Sequence, residues 1–247
     1  MQNINFWESK FQLCQYSSKL LETIAAINIQ IKTPININEI KKACYYAREY
    51  HGIQLRKSGQ PYYSHPLEVG RLFSQYTGNQ DPKYYTTDLV VAAILHDCLE
   101  DTALTTDMIE KIFNKSVADK VQDLTRTKGS IKNTAADTLH SLFTQNKTGV
   151  LYIKIFDRLH NMRTLDAMLP EKRRKISEET YDHFTPYSEY FELYEVHQEF
   201  IDLCSKHLSS IKPDLPEYQN LLPRHYHYTF QLLSQAFQSD IYQMQNP

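Results

Sequence analysis

One stretch constrains this chain more than any other: DLVVAAILHDCLEDT, residues 88–102. From Leu89 to Leu95 it is apolar nearly all round, and a helix of that kind belongs inside a core. His96 and Asp97 follow directly, then Glu100 and Asp101. On one continuous helix, residues four apart share a face, so His96 lies over Glu100 and Asp97 over Asp101. Like charges at that spacing repel, and taking carboxylates out of water is costly unless they are compensated. A bound cation is the simplest compensation. Emergence of the helix into solvent at His96 is the alternative. An HD dipeptide alone says little, but H-D-x-x-E-D closing an apolar helix says much more.

The rest of the chain reads as helices joined by polar connections. Residues 11–31 predict an N-terminal helical extension that ends before Thr33-Pro34, and a second helix runs from about Asn38 to Tyr50. RKSGQPYYSHP, residues 56–66, is a loop marked by Ser58-Gly59 and two prolines, and Pro66 opens the next helix at its first position. Further helices are expected at about 105–124, 150–168, 171–184 and 187–208, with a polar segment at 126–148 that includes a flexible stretch. A last helical stretch is expected at 225–238. With only 6 glycines the chain favours helices over a loop-rich β architecture. The expected fold class is all-α.

Two further segments carry candidate chemistry. In VLYIKIFDRLHNMRTLDAM, residues 150–168, Asp157, Asn161 and Thr164 fall on one helical stripe, opposite Ile155, Leu159 and Met162. A carboxylate, an amide and a hydroxyl in line suit a metal ligand followed by substrate contacts, with Lys154, Arg158 and Arg163 adding cations. An ordinary amphipathic helix gives the same periodicity. The third segment is the 56–66 loop, where His65 stands in a rigid Ser-His-Pro setting. Arg56 and Lys57 form a cationic pair there, and an arginine can stack on a base or fork onto phosphate. A surface histidine and a solvated charge run would look the same.

Taken together these segments resemble the RelA/SpoT-type alarmone hydrolase domain. HGIQLRKSGQPYYSHP (51–66) is similar to its opening motif, HDCLEDT (96–102) to its metal and catalytic motif, and KIFDRLHNMRTL (154–165) to its third. KISEETYDHFTPYSEYF (175–191) fits the following helix. The resemblance covers roughly residues 38–207. It implies an all-helical HD-domain bundle with one divalent metal, usually Mn²⁺, held by His65, His96, Asp97 and Asp157. Such a nitrogen and oxygen donor set suits manganese. It implies that Glu100 and Asp101 position or deprotonate the attacking water. It also implies that Arg56 lies against guanine with Lys57 and Ser58 nearby, and that Asn161 and Thr164 contact ribose and phosphate. Lys154 and Arg158 would support the site electrostatically. The family's substrate is guanosine 3′,5′-bis(diphosphate), ppGpp, or pppGpp, from which it releases the 3′ pyrophosphate. Gln60 stands where the family usually has an acidic residue, and Phe156 where it usually has a small one.

The implied organisation is an extension (1–37), the HD hydrolase domain (38–207) and a C-terminal tail with a helix (208–247). Too little chain follows residue 207 for another sizeable core, so a stand-alone, hydrolase-only member is expected. Other readings keep the fold and change the substrate, to an adenosine alarmone (ppApp) or the 2′-phosphate of NADPH, or keep the binding and lose the catalysis. The intact Glu100-Asp101 pair speaks against the last. A formal charge of −2 gives no basic field for nucleic acid. Cys14, Cys44, Cys98 and Cys204 form no C-x-x-C pair, so a zinc ribbon is not expected, and the chain is too long to need a disulfide framework. MQNINFWESKF lacks the basic start and apolar stretch of a signal peptide, and no apolar run approaches the ~20 residues of a membrane span, so the cytoplasm is the expected location.

Overall fold

A computed structural model describes residues 6–125 and 134–209. Among them all regular structure is helical, with one isolated antiparallel bridge between Leu55 and Pro61. None of their helices is long and apolar enough to cross a membrane. The helices are α1 (Phe6–Lys10), α2 (Gln15–Gln30), α3 (Ile37–His51), α4 (Ser64–Asn79), α5 (Thr87–Leu95), α6 (Cys98–Asp101), α7 (Thr106–Ile112), α8 (Lys115–Leu124), α9 (Ala135–Thr144), α10 (Thr148–Arg163), α11 (Pro170–His183), α12 (Thr185–Tyr190) and α13 (Tyr194–Ser209). They fall into two compact units. One holds the chain up to residue 134 together with 146–160, and the other holds 135–145 together with the residues from 161 on.

The first unit is organised around α5. Every residue from Leu89 to Leu95 is buried, as the apolar run requires, and α3, α4 and α8 pack against it. Side-chain caps start these helices. Asn36 accepts from the amides of Asn38 and Glu39, Thr86 from Leu89, and Asn114 from Val117. Such caps satisfy donors that the first turn leaves without partners. The N-terminal extension packs into the same unit: α2 buries Leu20, Ile24 and Ile27 and lies against α4. Tyr63, just ahead of α4, meets Tyr16 of α2 edge-on at 6.0 Å, with the Arg48 guanidinium 5.7 Å from its ring. In the second unit α13 packs on α11 and α12, and Phe143 of α9 gathers Tyr187, Tyr190 and Phe191.

Several boundaries differ from those read in the sequence, for local reasons. The stretch 88–102 is two helices, with His96 and Asp97 at the break between α5 and α6. The 105–124 segment breaks at Phe113-Asn114, where Asn114 caps α8. The 187–208 segment breaks around Glu192, whose φ is +57°. The stretch 126–148, read as polar and including a flexible part, contains α9, which buries Ala135, Leu139 and Leu142, while residues 126–133 lie outside the described residues. The helix with Pro66 opens two residues earlier, at Ser64, and the proline still lies in the first turn, where its missing N–H costs nothing. The helical stretch expected at 225–238 lies outside the described residues.

Gly70 of α4 reports how closely α4 and α5 pack: a Cβ there would lie 2.8 Å from Ile94 Cγ1, on a fully buried side chain. Gly70→Ala should therefore destabilise the protein by about 1–3 kcal/mol through overpacking. Urea unfolding checks this, and an unchanged midpoint would show that the α4–α5 contact relaxes freely.

Candidate active site

The break after α5 places His96 and Asp97 where a buried helix end meets two other elements. His65, in the first turn of α4, and Asp157, in the middle of α10, face the same point. His65 and His96 are buried, at 2% and 1% exposure. The Nε2 of His65 is 3.1 Å from Asp157 Oδ1 and 3.5 Å from Asp97 Oδ2. The Nε2 of His96 is 3.0 Å from Asp97 Oδ1 and 3.6 Å from Asp157 Oδ1. Ligand atoms of His65, His96 and Asp157 all lie within 4.8 Å of one another. The four residues that the sequence pattern singled out are thus brought together.

The outer nitrogens decide what this cluster can hold. His96 Nδ1 is 2.8 Å from the Ala93 carbonyl, which can only accept, so Nδ1 carries a proton. In the neutral ring Nε2 is then a bare lone pair, buried, without a hydrogen-bond partner and aimed at two carboxylates. Only a proton or a cation resolves that opposition. Burial would lower the His96 pKa, yet Asp97 and Asp157 overcome it and push it up to about 10. Burial lowers the His65 pKa, against the pull of Asp157 and Asp97. Burial would raise both carboxylates, but the imidazoles hold Asp97 and Asp157 below the usual carboxylate range. Two imidazole nitrogens and two ionised carboxylates converging on one point fit a divalent cation of intermediate hardness.

A second tier fixes these side chains. His65 Nδ1 meets His160 Nδ1 at 2.7 Å, three residues beyond Asp157 on α10. Residues that hold the far nitrogen of a ligating histidine set its tautomer and ring orientation. Tyr62 reaches in from the loop before α4 and donates to Asp101 Oδ2 at 2.7 Å and to Asp97 Oδ2 at 3.2 Å. Asp101 is exposed and Glu100 half-buried on α6, beside Asp97. The sequence reading missed Tyr62 and His160. The helical spacing of His160 from Asp157 was the available signal. Tyr62 offered none beyond its place in the loop.

The loop from 54 to 61 is closed by main-chain bonds from Arg56 N–H to the Gln60 carbonyl and from Gly59 N–H to the Arg56 carbonyl. Gly59 has φ +82°, which glycine adopts without strain. Arg56 is half-buried and feels the field of Asp97 and Asp157, whereas Lys57 and Ser58 stand exposed on the turn. Gln60 contributes its carbonyl to the turn, so the missing acidic side chain leaves the turn's main-chain bonds intact. Phe156 is absorbed by α4, packing on Phe73 at 6.4 Å and Tyr76 at 5.6 Å. Lys154 is half-buried and Arg158 buried on α10. Asn161 and Thr164 fall in the second unit, where the Thr164 N–H and hydroxyl both donate to the Asn161 carbonyl.

An all-helical bundle with paired His-Asp groups at a helix break is the architecture of the HD domain. The HD-domain profile matches residues 43–188, and the chain belongs to that family. Curated relatives include the GTP pyrophosphokinase rsh of Brucella suis, 34% identical over 184 residues, which are 72% of this chain and 24% of the relative. A probable guanosine-3′,5′-bis(diphosphate) 3′-pyrophosphohydrolase of Synechocystis sp. is 35% identical over 68% of this chain and 22% of its own length. The guanosine-3′,5′-bis(diphosphate) 3′-pyrophosphohydrolase of Aquifex aeolicus is 33% identical over 71% of this chain and 25% of its own length. The chain therefore spans about a quarter of the length of the curated relatives it matches.

The lone-pair geometry has a measurable consequence. With His96 raised to about 10, the metal-free protein keeps this ring protonated around neutral pH, and a divalent cation must expel that proton. Affinity for the cation should rise with pH up to that value. At about pH 8, calorimetry in buffers of different ionisation enthalpy should show roughly one proton released per cation bound. Buffer-independent heats would contradict the assignment of the proton to His96.

Proposed function

We propose that this chain is a manganese-dependent hydrolase that removes pyrophosphate from the 3′ position of ppGpp or pppGpp, leaving GDP or GTP. The observation that carries the reading is the His65, His96, Asp97 and Asp157 cluster, in which two buried imidazole nitrogens face two carboxylates, with the Glu100-Asp101 carboxylates beside it. The names of the Synechocystis and Aquifex relatives support the substrate. The cluster favours hydrolysis over the pyrophosphate transfer that the Brucella relative's name describes, because it is built to hold a cation next to groups that handle a water's proton.

Manganese at this point would supply Lewis acidity, lowering the pKa of a coordinated water and offsetting phosphoryl charge. The protein's own groups do the rest. Asp101 and Glu100 orient the attacking water and take its proton. The water oxygen bonds to the phosphorus carried on O3′. The P–O3′ bond breaks with its electron pair left on O3′, which then takes up a proton. Arg56 lays its planar guanidinium against the guanine, using the charge-retaining stacking surface that lysine lacks.

Manganese-loaded protein should convert ppGpp to GDP and pyrophosphate, read by anion-exchange chromatography, and Asp97→Ala or Asp157→Ala should abolish turnover. Folded, metal-loaded protein that leaves ppGpp intact would sink the proposal. Faster turnover of ppApp or NADPH would redirect it to another nucleotide, and tight ppGpp binding without turnover would redefine the chain as a binding module. Arg56→Ala should raise KM roughly 3–30-fold with kcat little changed, as expected for losing a stacked cation that contributes equally to ground and transition states.

A further inference from the structure

Asp101 presents a problem of its own. A carboxylate that takes a proton from water must be held still, yet Asp101 is exposed at the end of a four-residue helix. Its main chain is anchored by Gln54, whose Nε2 donates to the Asp101 carbonyl at 2.9 Å. Its side chain is gripped by Tyr62, whose hydroxyl donates to Oδ2 at 2.7 Å.

Tyr62 is itself braced. Its ring stacks on His51 at 4.6 Å between centroids and 24° between planes. His51 is buried, and its orientation is fixed from both sides. Because the Gln54 amide nitrogen is used on Asp101, Gln54 presents its oxygen to His51 Nδ1 at 3.0 Å, so Nδ1 is the protonated nitrogen. His51 Nε2 then accepts from the Cys98 thiol at 3.8 Å. Facing two carboxylate oxygens, which can only accept, the Tyr62 hydroxyl is the donor. A ring of contacts thus runs from Asp101 through Tyr62, His51 and Gln54 back to Asp101.

We propose that Tyr62 is the positioning residue for Asp101: its hydroxyl occupies Oδ2, turning Oδ1 toward the reacting water, and links Asp101 to Asp97 so that the proton acceptor keeps a fixed distance from the cluster. This rests on the hydrolase reading above. Tyr62 takes part in no bond making; it acts through Asp101.

Tyr62→Phe removes the hydroxyl and keeps the stack on His51. In the manganese-loaded protein, kcat for ppGpp should fall about 10–100-fold, in the range of supporting groups at metal sites, with KM changed less than about threefold. In an Asp101→Asn background the same substitution should cost less than about twofold, because groups acting as one unit are not additive. A crystal structure of Tyr62→Phe should show the Asp101 carboxylate rotated or spread over several positions, with the His51 ring unmoved. Wild-type kcat, additive losses, or an Asp101 carboxylate still in place would each overturn the proposal. Absence of ppGpp turnover in the wild type would sink the substrate reading instead, and the Asp101 position in the two crystal structures would then decide the clamp by itself.

Discussion

Two imidazoles and two carboxylates share one point at the end of an apolar helix, and their opposition governs the rest of the first unit. His96 cannot turn away, because its Nδ1 is committed to the Ala93 carbonyl. Asp97 cannot move out to solvent without breaking its contacts to both histidines and to Tyr62. Burying such charges costs several kcal/mol per ion unless geometry and partners repay it. The surrounding helices are therefore arranged to aim side chains: α4 delivers His65, α10 delivers Asp157, and the break between α5 and α6 turns Asp97 and Asp101 toward the same side.

Much of this was legible in the sequence because it follows from spacing. Leu89 to Leu95 had to be buried, and all seven are. Ile155, Leu159 and Met162 were read as the core-facing stripe of their helix, and each is buried. The four residues of the cluster were picked by motif and chemistry, and they converge. What periodicity could not reveal are events that interrupt it. Nothing in the run from Leu89 to Asp101 marks a break at His96-Asp97, since both residues keep helical dihedrals while the hydrogen-bond ladder lapses. Helix α9 was overlooked because polar residues flank it on both sides, RTKGSIKNT before and QNK after, although Ala135, Leu139 and Leu142 keep helical spacing.

The supporting residues were hidden for a different reason. His160 and Tyr62 earn their roles from partners far away in sequence, 95 residues for His65 and 39 for Asp101. Only the packing of α10 against the start of α4 makes a histidine pair out of His65 and His160. The departures at Gln60 and Phe156 show the converse. Each looked consequential as a letter, yet one contributes main chain and the other fills space between Phe73 and Tyr76.

The dipeptide Tyr62-Tyr63 has a consequence for how the chain can vary. The two rings have different neighbourhoods: Tyr62 meets Asp97, Asp101 and His51, while Tyr63 meets Tyr16 of α2 and Arg48 of α3. One peptide bond therefore joins the surroundings of the His-Asp cluster to a helix that supplies none of its groups. Residues 15–30 are not an ornament on the domain but a gauge block, and a change in the bulk of their side chains near Tyr16 bears, through that bond, on the tyrosine that grips Asp101.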